Sequence, residues 1–131
     1  MNNVVLIGRL TKEPELKFLQ TGMAVCNFTL AIDKNLSKEK RQEMESKGQP
    51  TADFINIVVW GKQAESCANY LDKGRLTAVQ GRIQTRSYEA NDGTRRYVTE
   101  VVANHVEFLE WKKQNDDIDG FSQVDNADLP F

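Results

Sequence analysis

The sequence predicts an all-β domain that contains one short helix. Apolar and polar side chains alternate from Ala24 to Asp33, which is typical of a strand with one buried face. Apolar residues recur at helical spacing between Ala64 and Leu71, which indicates one short helix. Asp92-Gly93 separates two long strand-like runs and favours a β-hairpin. A chain of 131 residues leaves little room for a second domain.

The first three strands follow from apolar patterning. Val4 to Ile7 is a continuous apolar run that we expect to be a buried strand, with Gly8 where a barrel strand bends. The second strand begins at Ala24, and the third runs from Asp53 to Trp60. Alternation assigns a core face to Cys26, Phe28, Leu30 and Ile32 in the second strand and to Ile55, Ile57 and Val59 in the third.

The remaining elements complete a recognisable order. The fourth strand is predicted at Leu76 to Tyr88 and the fifth at Tyr97 to Leu109, whereas residues 34–51 form a long polar loop that could contain a short helix. The order β-β-β-α-β-β matches the five-stranded Greek-key barrel called the OB-fold. Because OB-folds bind oligonucleotides, oligosaccharides or proteins and also form scaffolds of enzymes, this order alone implies no function.

The formal net charge of −2 is unevenly distributed along the chain. Residues 116–131 contain five acidic residues and no Lys or Arg, so the residues before them carry a formal charge of +3. A mildly basic body is compatible with phosphate binding, and an acidic end is typical of a flexible tail. We predict a domain over residues 1–111 and a disordered acidic tail over residues 112–131.

Composition argues against several other classes of protein. Cys26 and Cys67 lie far apart in the sequence and suggest neither a zinc site nor a disulfide framework, so we expect a reducing cytoplasm. The chain has no cationic leader and no apolar run that could span a bilayer. With one histidine, His105, and no Gly-rich phosphate loop, we expect no catalytic site, metal or cofactor.

One face of the third strand and one face of the fourth carry residue types that suit single-stranded nucleic acid. Phe54 and Trp60 lie opposite the core side of the third strand, with Asn56 between them. The fourth strand is expected to point Val79, Gly81 and Ile83 inward and to present Gln80, Arg82, Gln84, Arg86 and Tyr88 on its other face. Aromatic rings stack on any base and cations attract phosphates, so these faces favour binding without sequence specificity.

The same residues also have structural interpretations. The aromatic side chains could cover a second hydrophobic layer, and the face could dock a polypeptide or bind RNA. Lys62 and Lys73 flank the predicted helix and could contact phosphates or be solvated helix-end charges. Arg96, beside the hairpin turn, could grip a nucleic-acid strand or only solubilise the turn. The patterns alone leave these alternatives open.

The C-terminal tip combines acidic and apolar residues. An acidic end commonly does no more than keep a protein in solution. An apolar Leu-Pro-Phe anchor with a terminal carboxylate adds nothing to solubility, but it suits a basic-rimmed pocket on another protein. We therefore predict a partner-binding tip formed by Asp125, Asp128, Leu129, Pro130 and Phe131.

Seven short motifs occur in a fixed order along the chain. They are Asn3 to Leu10, Pro14-Glu15, Phe28 to Ala31, Val59 to Lys62, Tyr70 to Gly74, Gly81 to Arg86 and Asp128 to Phe131. Together they resemble the bacterial single-stranded DNA-binding protein family over residues 1 to about 110 and at the tip. The resemblance implies an OB-fold homotetramer that wraps single-stranded DNA during replication, recombination and repair and recruits genome-maintenance proteins through its C-terminal tip.

The resemblance also implies roles for individual residues. The family's base-stacking aromatics correspond to Phe54, Trp60 and Tyr88, and its phosphate-contacting lysines to Lys62 and Lys73. We predict further phosphate contacts by Arg82, Arg86 and Arg96.

The chain departs from the family at two positions and in its linker. Leu36 stands where a stacking aromatic is common and Ser87 where a basic residue is common, so we expect weaker binding there. Only about twenty residues separate Trp111 from the end, which shortens the reach of the tip.

Overall fold

The computed structural model describes residues 1–110, which form six strands and two helices. The strands are β1 (Val4–Leu10), β2 (Glu15–Phe18), β3 (Ala24–Asp33), β4 (Ala52–Trp60), β5 (Leu76–Glu89) and β6 (Arg95–Phe108). Helix α1 (Lys38–Ser46) lies between β3 and β4, and helix α2 (Lys62–Tyr70) lies between β4 and β5. Neither of these helices is long and apolar enough to cross a membrane.

The strands form one sheet in the order β1-β5-β6-β4-β3-β2, which closes because β1 also pairs with β3. The closing pairs are Arg9 with Ala31 and Leu10 with Leu30. Every strand pairing is antiparallel except the one between β4 and β6. The five strands expected from the sequence are the five that close the barrel, so the predicted OB-fold is confirmed.

Two elements exceed the single helix and five strands that the sequence predicts. Strand β2 is four residues long and pairs only with β3, and so short a segment carries too little periodicity to predict. Helix α1 occupies the polar segment that could contain a short helix. It begins at the cap Ser37, whose Oγ accepts a hydrogen bond from the backbone N–H of Lys40 at 3.1 Å. An ion pair of 2.7 Å from Arg41 to Asp33 joins α1 to the end of β3.

The barrel interior is filled by the residues that alternation assigns to it. Leu30, Ile57 and Val59 are completely buried, and Val79 of β5 and Leu71 after α2 complete the centre of the core. Gly8 lies where β1 crosses β3, and a Cβ added there would come within 2.5 Å of the Ala31 carbonyl oxygen. The bend predicted at Gly8 is therefore a close backbone contact that any larger residue would disturb.

Two burial predictions are wrong. Val5 and Ile7 of β1 are exposed, because β1 is a single edge strand whose side chains alternate between the core and the outside. Ile83 is exposed although its parity is inward, because the pairing of β1 with β5 ends at Gly81 and leaves the outer part of the β5–β6 hairpin uncovered.

We predict that neither thiol reacts in the folded protein. Burial raises the pKa of Cys26 to about 11 and that of Cys67 to about 12, so almost no thiolate is present at neutral pH, and thiolate is the reactive form. Iodoacetamide at pH 8 should leave both residues unmodified in native protein and should alkylate both after unfolding in guanidinium, as read by mass spectrometry. Rapid alkylation of the native protein would show that the core opens at these positions.

Candidate nucleic-acid interface

The outward faces of β4 and β5 belong to one continuous surface. Val58 of β4 is in register with Val102 of β6, which pairs in turn with Arg82 of β5. Directly paired residues point to the same side of a sheet, so residues of matching parity on the three strands share that side. The outward faces of the third and fourth strands expected from the sequence, which are β4 and β5, therefore lie on one side of the sheet, with β6 between them. We call this the outer face, and it carries Phe54, Asn56 and Trp60 from β4 and Arg82, Gln84, Arg86 and Tyr88 from β5.

The three predicted stacking residues are accessible on the outer face. The exposed fractions are 58% for Phe54, 44% for Trp60 and 48% for Tyr88. Because β4 crosses next to β3, Phe54 lies beside Ala31 and Trp60 beside Val25, and neither small neighbour covers an aromatic ring. The three rings are therefore accessible to a ligand, although Val25 and Val58, which point to the same side, are buried.

A polar groove opens on the outer face, lined by residues of β3, β4, β5 and β6. Its volume is about 470 Å³, and its walls include Tyr88 and Arg86 of β5. The other polar residues that line it are Lys12, Glu15, Asn27, Thr29, Asn56 and Glu100. We call this space the central groove, and of the predicted site residues only Arg86 and Tyr88 line it.

A buried carboxylate forms the floor of the central groove. The Glu100 side chain is 5% exposed, whereas that of Arg86 is 52% exposed. Arg86 donates from Nε to Glu100 Oε2 at 3.0 Å and from Nη2 to Oε1 at 3.3 Å, and Gln84 donates to Oε2 at 2.9 Å. These hydrogen bonds raise the pKa of Arg86, so the guanidinium remains charged in the pair.

Sequence reasoning assigned no role to several residues of the groove. Glu100 is a lone acid in an apolar stretch of β6, and this was the one sign in the sequence that it has a special role. Its pairing with Arg86 could not be predicted, because it depends on the register of the β5–β6 hairpin. Thr29 donates from Oγ1 to Asn56 Oδ1 at 2.9 Å, which ties β3 to β4 across the groove. Alternation had placed Asn27 and Thr29 on the outer side of their strand without indicating what they face.

The two predicted lysines lie outside the central groove. Lys62 is the first residue of α2 and lies two residues after Trp60, where the chain leaves the outer face. Lys73 lies beyond the end of α2, and its backbone N–H donates to Glu13 Oε2 at 2.9 Å. Both side chains are exposed.

The predicted arginines of the hairpin differ in their partners. Arg96 is directly opposite Tyr88 and makes a 3.5 Å ion pair with Asp92 of the turn. Arg82 is exposed on the outer face, and within residues 1–110 the structure gives it no ion pair. The turn itself is set by Asp92, whose pKa is lowered because the hydroxyl and the backbone N–H of Thr94 donate to it.

Other predicted features lie elsewhere. Leu36 is half-buried before α1, and Ser87 accepts a hydrogen bond from Arg95 at 3.1 Å. His105 is exposed and lies 2.8 Å from Glu107, and across residues 1–110 no three His, Cys, Asp or Glu side chains group as metal ligands. The predicted tip, Asp125, Asp128 and Leu129 to Phe131, lies outside the described residues, as does the predicted tail.

Several known proteins are similar in sequence to this chain over most of its length. Single-stranded DNA-binding protein 2 of Clostridium acetobutylicum is 58% identical over 141 aligned positions that cover all of both chains. The single-stranded DNA-binding protein of Clostridium tetani is 59% identical over 100% of this chain and 86% of its own length. The protein of the same name from Halalkalibacterium halodurans is 52% identical over 96% of this chain and 70% of its own length.

The family comparison covers the whole barrel. Residues 1–109 match the profile of the single-strand binding protein family, which includes all of β1 to β6 and both helices. The outer face, with its three accessible aromatic side chains, therefore lies entirely within the matched region. The chain belongs to the single-strand binding protein family.

Proposed function

We propose that this protein binds single-stranded DNA without sequence specificity, on the outer face of its barrel. The observation that carries the proposal is that Phe54, Trp60 and Tyr88 are accessible on one face of the sheet, which also carries a polar groove lined by Tyr88. The names of the relatives, which are single-stranded DNA-binding proteins, support it. The protein acts without catalysis in the cytoplasm, associated with the nucleoid, and protects DNA strands exposed during replication, recombination and repair.

Bases and phosphates are held by different residues in this proposal. Bases stack on Phe54 and Trp60 at one side of the outer face and on Tyr88 at the other, and stacking accepts every base because each has a π-face. The phosphates of the strand contact four exposed cations, which are Lys62, Lys73, Arg82 and Arg96. Arg86 differs from this set because Glu100 neutralises its charge.

We predict that Trp60→Ala and Tyr88→Ala each lower the affinity for oligodeoxythymidylate. A stacked base contributes about 1–3 kcal/mol, so each substitution should weaken binding by roughly 5- to 150-fold. Fluorescence anisotropy with a labelled oligonucleotide at low salt measures the affinity. An oligoribouridylate of equal length, used as a competitor, distinguishes preference for DNA from general binding of single strands.

Tyr97→Ala is the matched control for this experiment. Tyr97 is 81% exposed on β6 and pairs with Ser87, so it points to the side of the hairpin opposite Tyr88. Its removal should leave affinity unchanged. Equal losses for Tyr97→Ala and Tyr88→Ala would mean that the outer face is not the binding surface.

We further propose that the C-terminal tip recruits DNA replication and repair proteins. Asp125 and Asp128 would attract a basic-rimmed pocket, and Leu129, Pro130 and Phe131 with the terminal carboxylate would fill it. Deleting Asp128 to Phe131 should abolish capture of partner proteins from a bacterial extract while affinity for DNA stays the same or rises slightly. Capture that survives the deletion would assign recruitment to the barrel.

A second copy of the same chain is proposed to cover β1, in a homo-oligomer that we expect to be a tetramer. Only Arg9 and Leu10 of β1 pair with β3, so the earlier residues form an open sheet edge, with Val5 and Ile7 exposed beside it. Such an edge is a template for pairing with another strand, and a symmetric dimer would satisfy both edges.

We predict that Ile7→Lys lowers the mass of the assembly measured by light scattering. A buried lysine in a symmetric interface would face its own copy and cost stability. Leu19→Lys, at the exposed turn between β2 and β3, is the control that adds the same charge away from β1. A wild-type protein that scatters as a monomer with or without DNA would contradict the proposed oligomer.

A further inference from the structure

The central groove has a balanced charge. Two cations, Lys12 and Arg86, and two acids, Glu15 and Glu100, line it, so its formal charge is zero. A surface that only gathered phosphates would carry an excess of cations. The balance indicates that the groove and the cationic residues around it contact different parts of a nucleic-acid strand.

Glu100 and Arg86 form an unequal pair. The carboxylate is almost completely buried, and it accepts both hydrogen bonds that the structure gives to Arg86. Removing a partner from a buried charge is costly, because the remaining group has lost its water and gains nothing in return. If Arg86 left Glu100 to follow a phosphate, that carboxylate would keep the hydrogen bond from Gln84 but would lose its one cationic partner among residues 1–110.

The pairing leaves one edge of the guanidinium available. Arginine has five N–H donors in a planar fork, and those bonded to Glu100 are on Nε and Nη2. No acceptor among residues 1–110 bonds to Nη1 of Arg86. Arg86 also lines the groove together with Tyr88, which follows it by two residues on the same face of β5.

We propose that Glu100 is a positioning residue that holds Arg86 as a contact for an unpaired nucleobase and removes it from the phosphate-binding set. The carboxylate cancels the net charge of the guanidinium and fixes its plane beside Tyr88. The open Nη1 edge then donates hydrogen bonds to base acceptor atoms, or the plane stacks on a base as arginine does in single-strand recognition. The inference rests on the proposed function of the outer face.

Arg82 provides an internal comparison. It lies four residues before Arg86 on the same face of β5 and is exposed. Among the described residues it has no carboxylate partner, whereas Arg86 is neutralised. The same side chain should therefore contact phosphate at position 82 and base at position 86.

The first test compares strands with and without bases. Arg86→Lys keeps the charge that pairs with Glu100 but loses the planar donor fork. It should lower affinity for oligodeoxythymidylate about tenfold and leave affinity for an abasic strand of equal length unchanged. Arg82→Gln is the matched control and should weaken binding of both strands, since both carry the same phosphates.

Two results would overturn the assignment of Arg86 to bases. One is unchanged affinity of Arg86→Lys for oligodeoxythymidylate, which would mean that a point charge suffices there. The other is an equal loss on the abasic strand, which would return Arg86 to the phosphate-binding residues. If the wild-type protein bound neither strand, the proposed function itself would fail, and this outcome is separate from both.

The second test releases Arg86 from its partner. Glu100→Gln keeps the shape of the side chain and removes its charge, so Arg86 becomes a net cation able to bind a phosphate. The slope of log affinity against log salt concentration should then steepen by about 0.7, the value for one additional phosphate contact on a single strand. Thermal unfolding of the variant checks that the barrel remains folded.

Glu15→Gln is the control for charge in the same groove. Glu15 lines the groove, but the structure gives it no arginine partner within residues 1–110. Removing its charge should raise affinity without adding a phosphate contact, so the salt slope should stay the same. A Glu100→Gln variant with lower thermal stability and an unchanged slope would reduce Glu100 to a purely structural residue and overturn the proposal.

Discussion

Closure of the barrel between β1 and β3 is the constraint on which the other features depend. Two residue pairs make this contact, and Gly8 allows the backbones to approach there. Closing the sheet gives every strand an inside and an outside, and the inside is small enough to be filled by Leu30, Ile57 and their neighbours. Side chains of the opposite parity point away from that interior.

The outer face follows from this filled interior. The parity of Phe54, Trp60 and Tyr88 directs them away from the core, and all three are accessible, whereas Val58, of the same parity, is buried. The β5–β6 hairpin then extends beyond β1 and carries Tyr88 and Arg96 past the end of the barrel. A closed barrel thus presents the proposed stacking residues on hydrogen-bonded strands, which would keep the ordering cost of binding low.

Electrostatics divides the outer face into two kinds of surface. The buried carboxylate of Glu100 pairs with Arg86 and the groove has no net formal charge, whereas Lys62, Lys73 and Arg82 are exposed outside the groove. An exposed cation attracts a phosphate over a distance of several ångströms, whereas a polar group without net charge interacts with a base only in direct contact. Under the proposed function, the exposed cations would supply affinity for the phosphates and the neutral groove would hold the bases in place.

The sequence by itself determined the strands and the side to which each side chain points. Alternation of apolar and polar side chains is a local property, and it can be read without knowing which strands pair. It therefore predicted the core residues of β3 and β4, the hairpin turn and the side on which Phe54, Trp60 and Tyr88 lie. Only the tertiary structure decided which strand covers which. That choice exposes Ile7 and Ile83 against expectation and pairs Glu100 with Arg86 fourteen residues away, since register and closure are set by contacts between distant segments.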